Sequence, residues 1–300
     1  MTLLPGVLIS GIMIGGIYAL IALGFVLIFK SSHVFNLSQG EFLLFGACIG
    51  WTFTAALGLN FWLALICTVV SCAVLGLLME RLVLRPLIGQ PLLSIIMVTI
   101  AFSMLLKGIL TGIWWKAPYG YPSGQFIKPI GLSEKLGSIT IAPQFLIAFL
   151  ASCVLIAAFL VFFKYAKLGL GMRAVAEDHQ VSQSLGVRVK RVYSLTWAIA
   201  AVVAGIGGIF LGKMLTVGPE LASLGLIVLP VAILGGLDSV PGCIVGGVII
   251  GVAENVAAVY LDPLLPHSGG LRMVIPYLIM LVVLIIRPHG LFGLERIERI

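Results

Sequence analysis

Three consecutive stretches decide the fold class: FLIAFLASCVLIAAFLVFF (145–163), KYAKLGLGMRAVAEDHQVSQSLGVRVKR (164–191) and VYSLTWAIAAVVAGIGGIFLG (192–212). The outer two carry no charged residue, and each is about 20 residues long, enough to cross roughly 30 Å of hydrocarbon as a helix. The island between them holds Lys164, Lys167, Arg173, Arg188, Lys190 and Arg191 against Glu177 and Asp178. Such a segment between two spans must sit in water, and its positive excess places it on the cytoplasmic side. Gly169 and Gly171 open it and Gly186 closes it, so a short helix is expected around Ala174 to Gly186. A helix held out of the membrane in this way is a docking surface.

The same alternation runs through the whole chain. The 300 residues are 61% hydrophobic and only 10% charged, with a mean hydropathy of +1.20. Soluble domains carry about 25% charged residues, so a polytopic helical membrane protein is the economical reading. Apolar segments fall near 6–29, 41–58, 61–79, 92–113, 143–163, 192–212, 221–237, 240–260 and 271–287. Segments 41–58 and 221–237 are short and interrupted by Gly or Pro, which predicts broken or re-entrant helices. The expected fold is all-α, a bundle of about eight to ten transmembrane helices. It forms one transmembrane domain over residues 1–300, with a cytoplasmic loop at 164–191 and an external loop at 114–142. The first apolar run, Leu3 to Phe29, has no Lys or Arg before it and is too long for a signal core, so it is expected to be a span.

Basic residues set the orientation. Loops 30–40, 80–91, 164–191 and 287–300 hold twelve Lys or Arg, against five in the loops of the other side. The N-terminus is therefore expected outside and the C-terminus inside. The net charge of +7 then reflects loops facing an anionic inner leaflet rather than a nucleic-acid partner. In the external segment, Trp114, Trp115, Tyr119 and Tyr121 read as an interfacial belt. Lys107 falls within a span and reads as a snorkelling side chain.

Enzyme signatures are absent from the sequence. His33, His179, His267 and His289 are scattered, no HExxH or G-x-S-x-G occurs, and the five cysteines lie in apolar stretches without metal-ligand spacing. GGIFLGKM (207–214) imitates a P-loop, but Met214 stands where Ser or Thr would hold magnesium. No catalytic residue, metal or bound nucleotide is expected in this chain.

Polar groups at membrane depth are few. Asn36, Ser38, Gln39 and Glu41 stand where the second apolar segment begins, and Glu254 and Asn255 lie in a late span. Intramembrane polar groups are costly unless they face water, substrate or a partner, so all six are candidates for a substrate pathway. Ser38 with Glu41 also fits a helix capping box, and both readings stand. NLSQGEFLLFGACIG (36–50) and GGLDSVPGCIVGG (235–247) each set a polar turn before a Gly-rich helix, a trace of internal repetition.

RAVAEDHQVSQSLGVRVKRVYSLTWAIAAVVAGIGGIFLG (173–212) resembles the cytoplasmic loop and following helix of branched-chain amino acid ABC transporter permeases. GGIYALIALGFVLIFKSSHVFNLSQGEF (15–42), ILGGLDSVPGCIVGGVIIGVAEN (233–255) and LIIRPHGLFG (284–293) resemble the same family, nearest its shorter, H-type subunit. The resemblance implies an ABC importer permease in the bacterial inner membrane. It also implies a second homologous permease, two ATPase subunits that carry the ATP and Mg, and a periplasmic binding protein. The helix around 174–186 would then seat on an ATPase, with Arg173, Ala174, Glu177, Asp178 and Gly186 at the joint. Hydrophobic amino acids are the substrate class the resemblance favours, with urea or short amides and aromatic acids as alternatives. An ion-coupled secondary transporter would need Glu41 and Glu254 as titrating acids. A channel would need a ring of filter residues that the sequence lacks.

Overall fold

The computed structural model describes residues 4–87, 90–114, 135–136, 139–140, 143–264 and 270–293. Eleven α-helices follow one another among them: α1 (Leu4–Ser32), α2 (Gln39–Trp51), α3 (Phe61–Leu78), α4 (Leu92–Trp114), α5 (Pro143–Tyr165), α6 (Lys167–Glu177), α7 (His179–Ser184), α8 (Val189–Met214), α9 (Glu220–Gly235), α10 (Val240–Val256) and α11 (Leu271–Ile286). Two short antiparallel strands, β1 (Lys135–Leu136) and β2 (Ile139–Thr140), pair between α4 and α5, Lys135 opposite Thr140. The fold is all-α and polytopic. Six helical stretches are long and apolar enough to cross a membrane, and α9 and α11 are shorter apolar helices. With α2, these coincide with the nine apolar segments read from the sequence. Trp115, Tyr119 and Tyr121 lie outside the described residues. Trp114 closes α4, and its indole N–H donates to Thr52 Oγ1 at 2.7 Å.

Three helices relax into π geometry at an end: Thr52–Ala56 after α2, Met79–Leu84 after α3 and Ala257–Leu261 after α10. Such π turns recur at functional positions in helices. The segment 41–58, expected to be broken, is thus a helix that changes winding rather than stopping.

The chain divides into two compact units. In the unit formed by residues 27–126 and 154–226, α2 and α3 pack on α8. The seam runs on backbone. A methyl group placed on Gly46 would fall on the Gly205 backbone, and one on Gly208 would fall on the Leu43 carbonyl. Without a hydrophobic force between helices in lipid, such close approach supplies dispersion contacts that hold a bundle together. Phe42 and Trp197 lie beside this seam, edge to face at 6.5 Å, both buried. The outer face of α3 presents Trp62, Ile66, Val70 and Val74 at four-residue spacing, the stripe expected of a lipid-facing helix.

In the unit formed by residues 1–26, 127–153 and 227–300, α10 lies antiparallel on the first part of α1. Gly11 meets Gly251 and Val252, Gly15 meets Gly247, and Cys243 Sγ sits 3.9 Å from the Ala19 carbonyl. The construction parallels that of α2 on α8: a polar turn, then a small-residue helix against a long one. The C-terminal turn has a definite task. Leu291 N donates to Leu234 O at 2.8 Å and Phe292 N to Gly235 O at 3.1 Å, which satisfies the last carbonyls of α9. Gly236 and Gly290, at φ +101° and +78°, make that turn feasible.

Candidate functional site

The turn entering α2 is polar, buried and largely self-satisfied. Asn36 organises it: its Oδ1 accepts from Ser38 N at 3.1 Å and from Ser38 Oγ at 2.6 Å, and its Nδ2 donates to Gln39 Oε1 at 2.9 Å. Gln39 Nε2 reaches across to the Ala200 carbonyl on α8 at 3.4 Å. Asn36, Ser38 and Gln39 are each no more than 1% exposed. The capping box expected between Ser38 and Glu41 does not form, because Asn36 takes the Ser38 hydroxyl into a side-chain-closed turn. Glu41 points elsewhere. It is buried, with a hydrogen bond from Ser103 on α4, and one carboxylate oxygen has no hydrogen-bond partner among the described residues.

Glu254 and Asn255 are adjacent in sequence but do different things. Asn255 Nδ2 donates to the Gly251 carbonyl of its own helix at 3.2 Å. Glu254 is buried and accepts from Arg272 Nε at 2.6 Å, with the buried Tyr18 hydroxyl beside the pair. Asp262 Oδ1 accepts from Leu271 N and Arg272 N at 3.0 and 3.2 Å, which fixes the start of α11 so that Arg272 faces Glu254. Sequence reading missed this pairing because its partners lie 18 residues apart, across a helix end.

The charged island at 164–191 holds two helices rather than one. α6 starts at Lys167, well before the expected Ala174, with Gly169 packed on the Phe162 and Phe163 carbonyls. Met172 and Val175 bury the underside of α6 against Val189 and Val192. Arg173 donates to the Lys164 carbonyl at 3.1 Å and lies over the Phe163 ring, which Lys30 Nζ also approaches at 5.3 Å. Ala174 is half-buried beside it. After Glu177 the chain breaks at Asp178, whose extended backbone and Oδ1, accepting from Val181 N at 2.9 Å, start α7. An aspartate ahead of a short polar run is a helix-start signal that could have located this break. Gly186, at φ +85°, closes the segment as expected. The outer surface carries Leu170, Val181 and Leu185, 60%, 54% and 78% exposed. These apolar groups escaped notice because the charges around them dominate the sequence.

A further polar cluster was not anticipated. Arg85 Nε and Nη2 donate to Glu80 at 3.2 and 3.0 Å, Nη2 also reaches Ser194 Oγ at 3.1 Å, and Ser194 Oγ donates to Glu80 Oε2 at 2.6 Å. In an α-helix, residues five apart point roughly 140° away from each other. The π winding of Met79–Leu84 brings Glu80 and Arg85 onto one face. Glu80 is 2% exposed, so Arg85→Met is expected to leave an uncompensated buried carboxylate and cost about 3 kcal/mol. Thermal unfolding of the purified chain would show the loss, and Glu80→Gln combined with Arg85→Met should recover much of it. Equal unfolding temperatures for Arg85→Met and the unaltered chain would mean that the pair is idle.

Long apolar helices, glycine seams and buried polar turns define a multi-span helical membrane protein. Residues 7–284 match the family model described as branched-chain amino acid transport system / permease component, and the chain belongs to that family. It is 28% identical to the high-affinity branched-chain amino acid transport system permease protein LivH of Escherichia coli K12 over 97% of this chain and 96% of that protein. BraD of Pseudomonas aeruginosa, described in the same words, is 27% identical over 98% of this chain and 97% of its own length. Among solved structures, PsaBC from Streptococcus pneumoniae in complex with Fab shares the fold, with a TM-score of 0.50, 13% identity, and coverage of 93% of this chain and 89% of that one.

Proposed function

We propose that residues 1–300 form one half of the translocation path of an ATP-driven importer in the bacterial inner membrane, carrying branched-chain or other hydrophobic amino acids. The partners in this reading are a second homologous permease, two ATP-binding-cassette subunits and a periplasmic binding protein. ATP and Mg belong to the cassette subunits. In this reading the N-terminus is periplasmic and the C-terminus cytoplasmic, which the bias of basic loops supports.

The observation that carries the coupling role is the two-sided build of α6 and α7. Met172 and Val175 root α6 on α8, while Leu170, Val181 and Leu185 face outward. A rooted helix pair with an exposed apolar face transmits a push from a partner to α8 and, through the α2 seam, to the Asn36–Glu41 turn. Glu177, Asp178 and Arg173 supply polar contacts at its rim. In this reading Asn36, Ser38, Gln39, Glu41, Glu254 and Asn255 line the path in its open states. The turn at Asn36–Gln39 can exchange internal hydrogen bonds for bonds to a zwitterion at little net cost, since one set of bonds replaces another. The ion-coupled reading has less support, because Glu254 is held by Arg272 and leaves Glu41 without a second acid.

Substrate class is tested by uptake of labelled leucine into cells that carry this chain with its partners and lack other leucine carriers. Excess isoleucine, valine or phenylalanine is expected to compete, and urea, acetamide or benzoate is not. Competition by urea alone would move the substrate to short amides.

A further inference from the structure

A cavity of about 540 Å³ lies within the unit of residues 27–126 and 154–226, beneath the break between α6 and α7. Its size falls within the roughly 300–1,000 Å³ typical of small-molecule sites. The floor is apolar and buried, made by Leu84, Val175 and Trp197. Two exposed carboxylates stand at the rim, Glu177 and Asp178, the latter already accepting from Val181 N through Oδ1. Arg85 also borders the cavity, but its guanidinium is neutralised by Glu80 and shared with Ser194. His33 also lines the cavity; with it neutral and Glu80 offset by Arg85, Glu177 and Asp178 leave the lining with a net negative charge over an apolar floor. A ligand matched to it has a compact aliphatic body and a primary ammonium; an anion of the same shape meets like charge.

We propose that this cavity is an effector site for a primary-ammonium ligand with a compact aliphatic body. The end of α6 (Val175, Ala176 and Glu177) and Asp178, which starts α7 through its Oδ1, line it together with Glu80 and Leu84 of the π turn, so an occupant ties the joint of α6 and α7 to that turn. The regulatory consequence, a brake on movement of α6 and α7, rests on the coupling role proposed above. The binding site itself does not depend on that role.

Trp197 in the floor reports occupancy directly. The full-length chain in lipid nanodiscs would be titrated with three molecules that share an isobutyl group: leucinamide (a cation), leucine (a zwitterion) and 4-methylpentanoate (an anion). Tryptophan fluorescence is the readout, with Trp197→Phe to show that the signal comes from the cavity. Leucinamide is expected to bind most tightly, leucine less tightly, and the anion without saturation. Glu177→Gln, which keeps the side chain's shape, should weaken leucinamide about tenfold by removing a charge-assisted hydrogen bond. Ala176→Phe should fill the cavity and abolish the signal. Anion binding as tight as that of the cation, unchanged affinity in a folded Glu177→Gln sample, or no saturable signal from any of the three would overturn the proposal. Loss of transport coupling with the titration intact would remove only the regulatory consequence.

Discussion

Gly46→Ala is expected to unfold or disassemble the bundle, although it adds a single methyl group. That methyl falls on the backbone of Gly205, and neither helix has a side chain that can swing aside. The seam between α2 and α8 must open along its length, with a cost of about 3 kcal/mol from overpacking and lost dispersion contacts. The matched control is Gly112→Ala on α4, where nothing lies within 4 Å of the added methyl. There the substitution should stabilise the helix by up to about 1 kcal/mol, as alanine does in an open helix interior. Thermal unfolding of both variants, read as monodisperse protein after heating, separates them. Equal behaviour of the two would show that the seam is looser than its geometry implies.

The second large effect is expected at the outer face of α6 and α7. Leu185→Asp combined with Leu170→Asp places two charges on an exposed apolar surface and touches none of the buried anchors Met172 and Val175. The folded protein should be unaffected, because exposed positions away from packing rarely shift stability by more than about 0.5 kcal/mol. Uptake and co-purification of the ATP-binding-cassette subunits should both fall more than roughly tenfold, as expected when buried apolar anchors at the centre of an interface are lost. The same double substitution with unchanged co-purification would move the docking surface elsewhere on the chain.

The sequence made the spans legible because span length and apolar content are imposed by the bilayer itself. Each of the nine apolar segments became a helix near its expected limits. Winding was not legible: the π turn at Met79–Leu84 has no composition of its own, and only the resulting Glu80–Arg85–Ser194 cluster reveals it. Among the candidate site residues, Asn36, Ser38, Gln39 and Glu41 stand out by their polarity in an apolar setting. Their division of labour was hidden, since a Ser and a Glu three apart look like a capping box until Asn36 competes for the hydroxyl. The Glu254–Arg272 pair depends on where a helix restarts, which local pattern does not specify. In the island, charge drew attention to Glu177 and Asp178, whereas the exposed surface most suited to docking is made by Leu170, Val181 and Leu185. Asp178 itself marks the joint between two helices rather than the middle of one.

The most direct test of the central claim is ATP hydrolysis by the complex purified through a tag on this chain and placed in lipid nanodiscs. Binding protein loaded with leucine would be compared with empty binding protein, and a variant scrambled over residues 173–186 would serve as control. Hydrolysis that rises with the loaded binding protein and loses that response in the scrambled variant is the predicted result. A well-folded sample that brings down no ATPase, or hydrolysis indifferent to the scrambled segment, would contradict it.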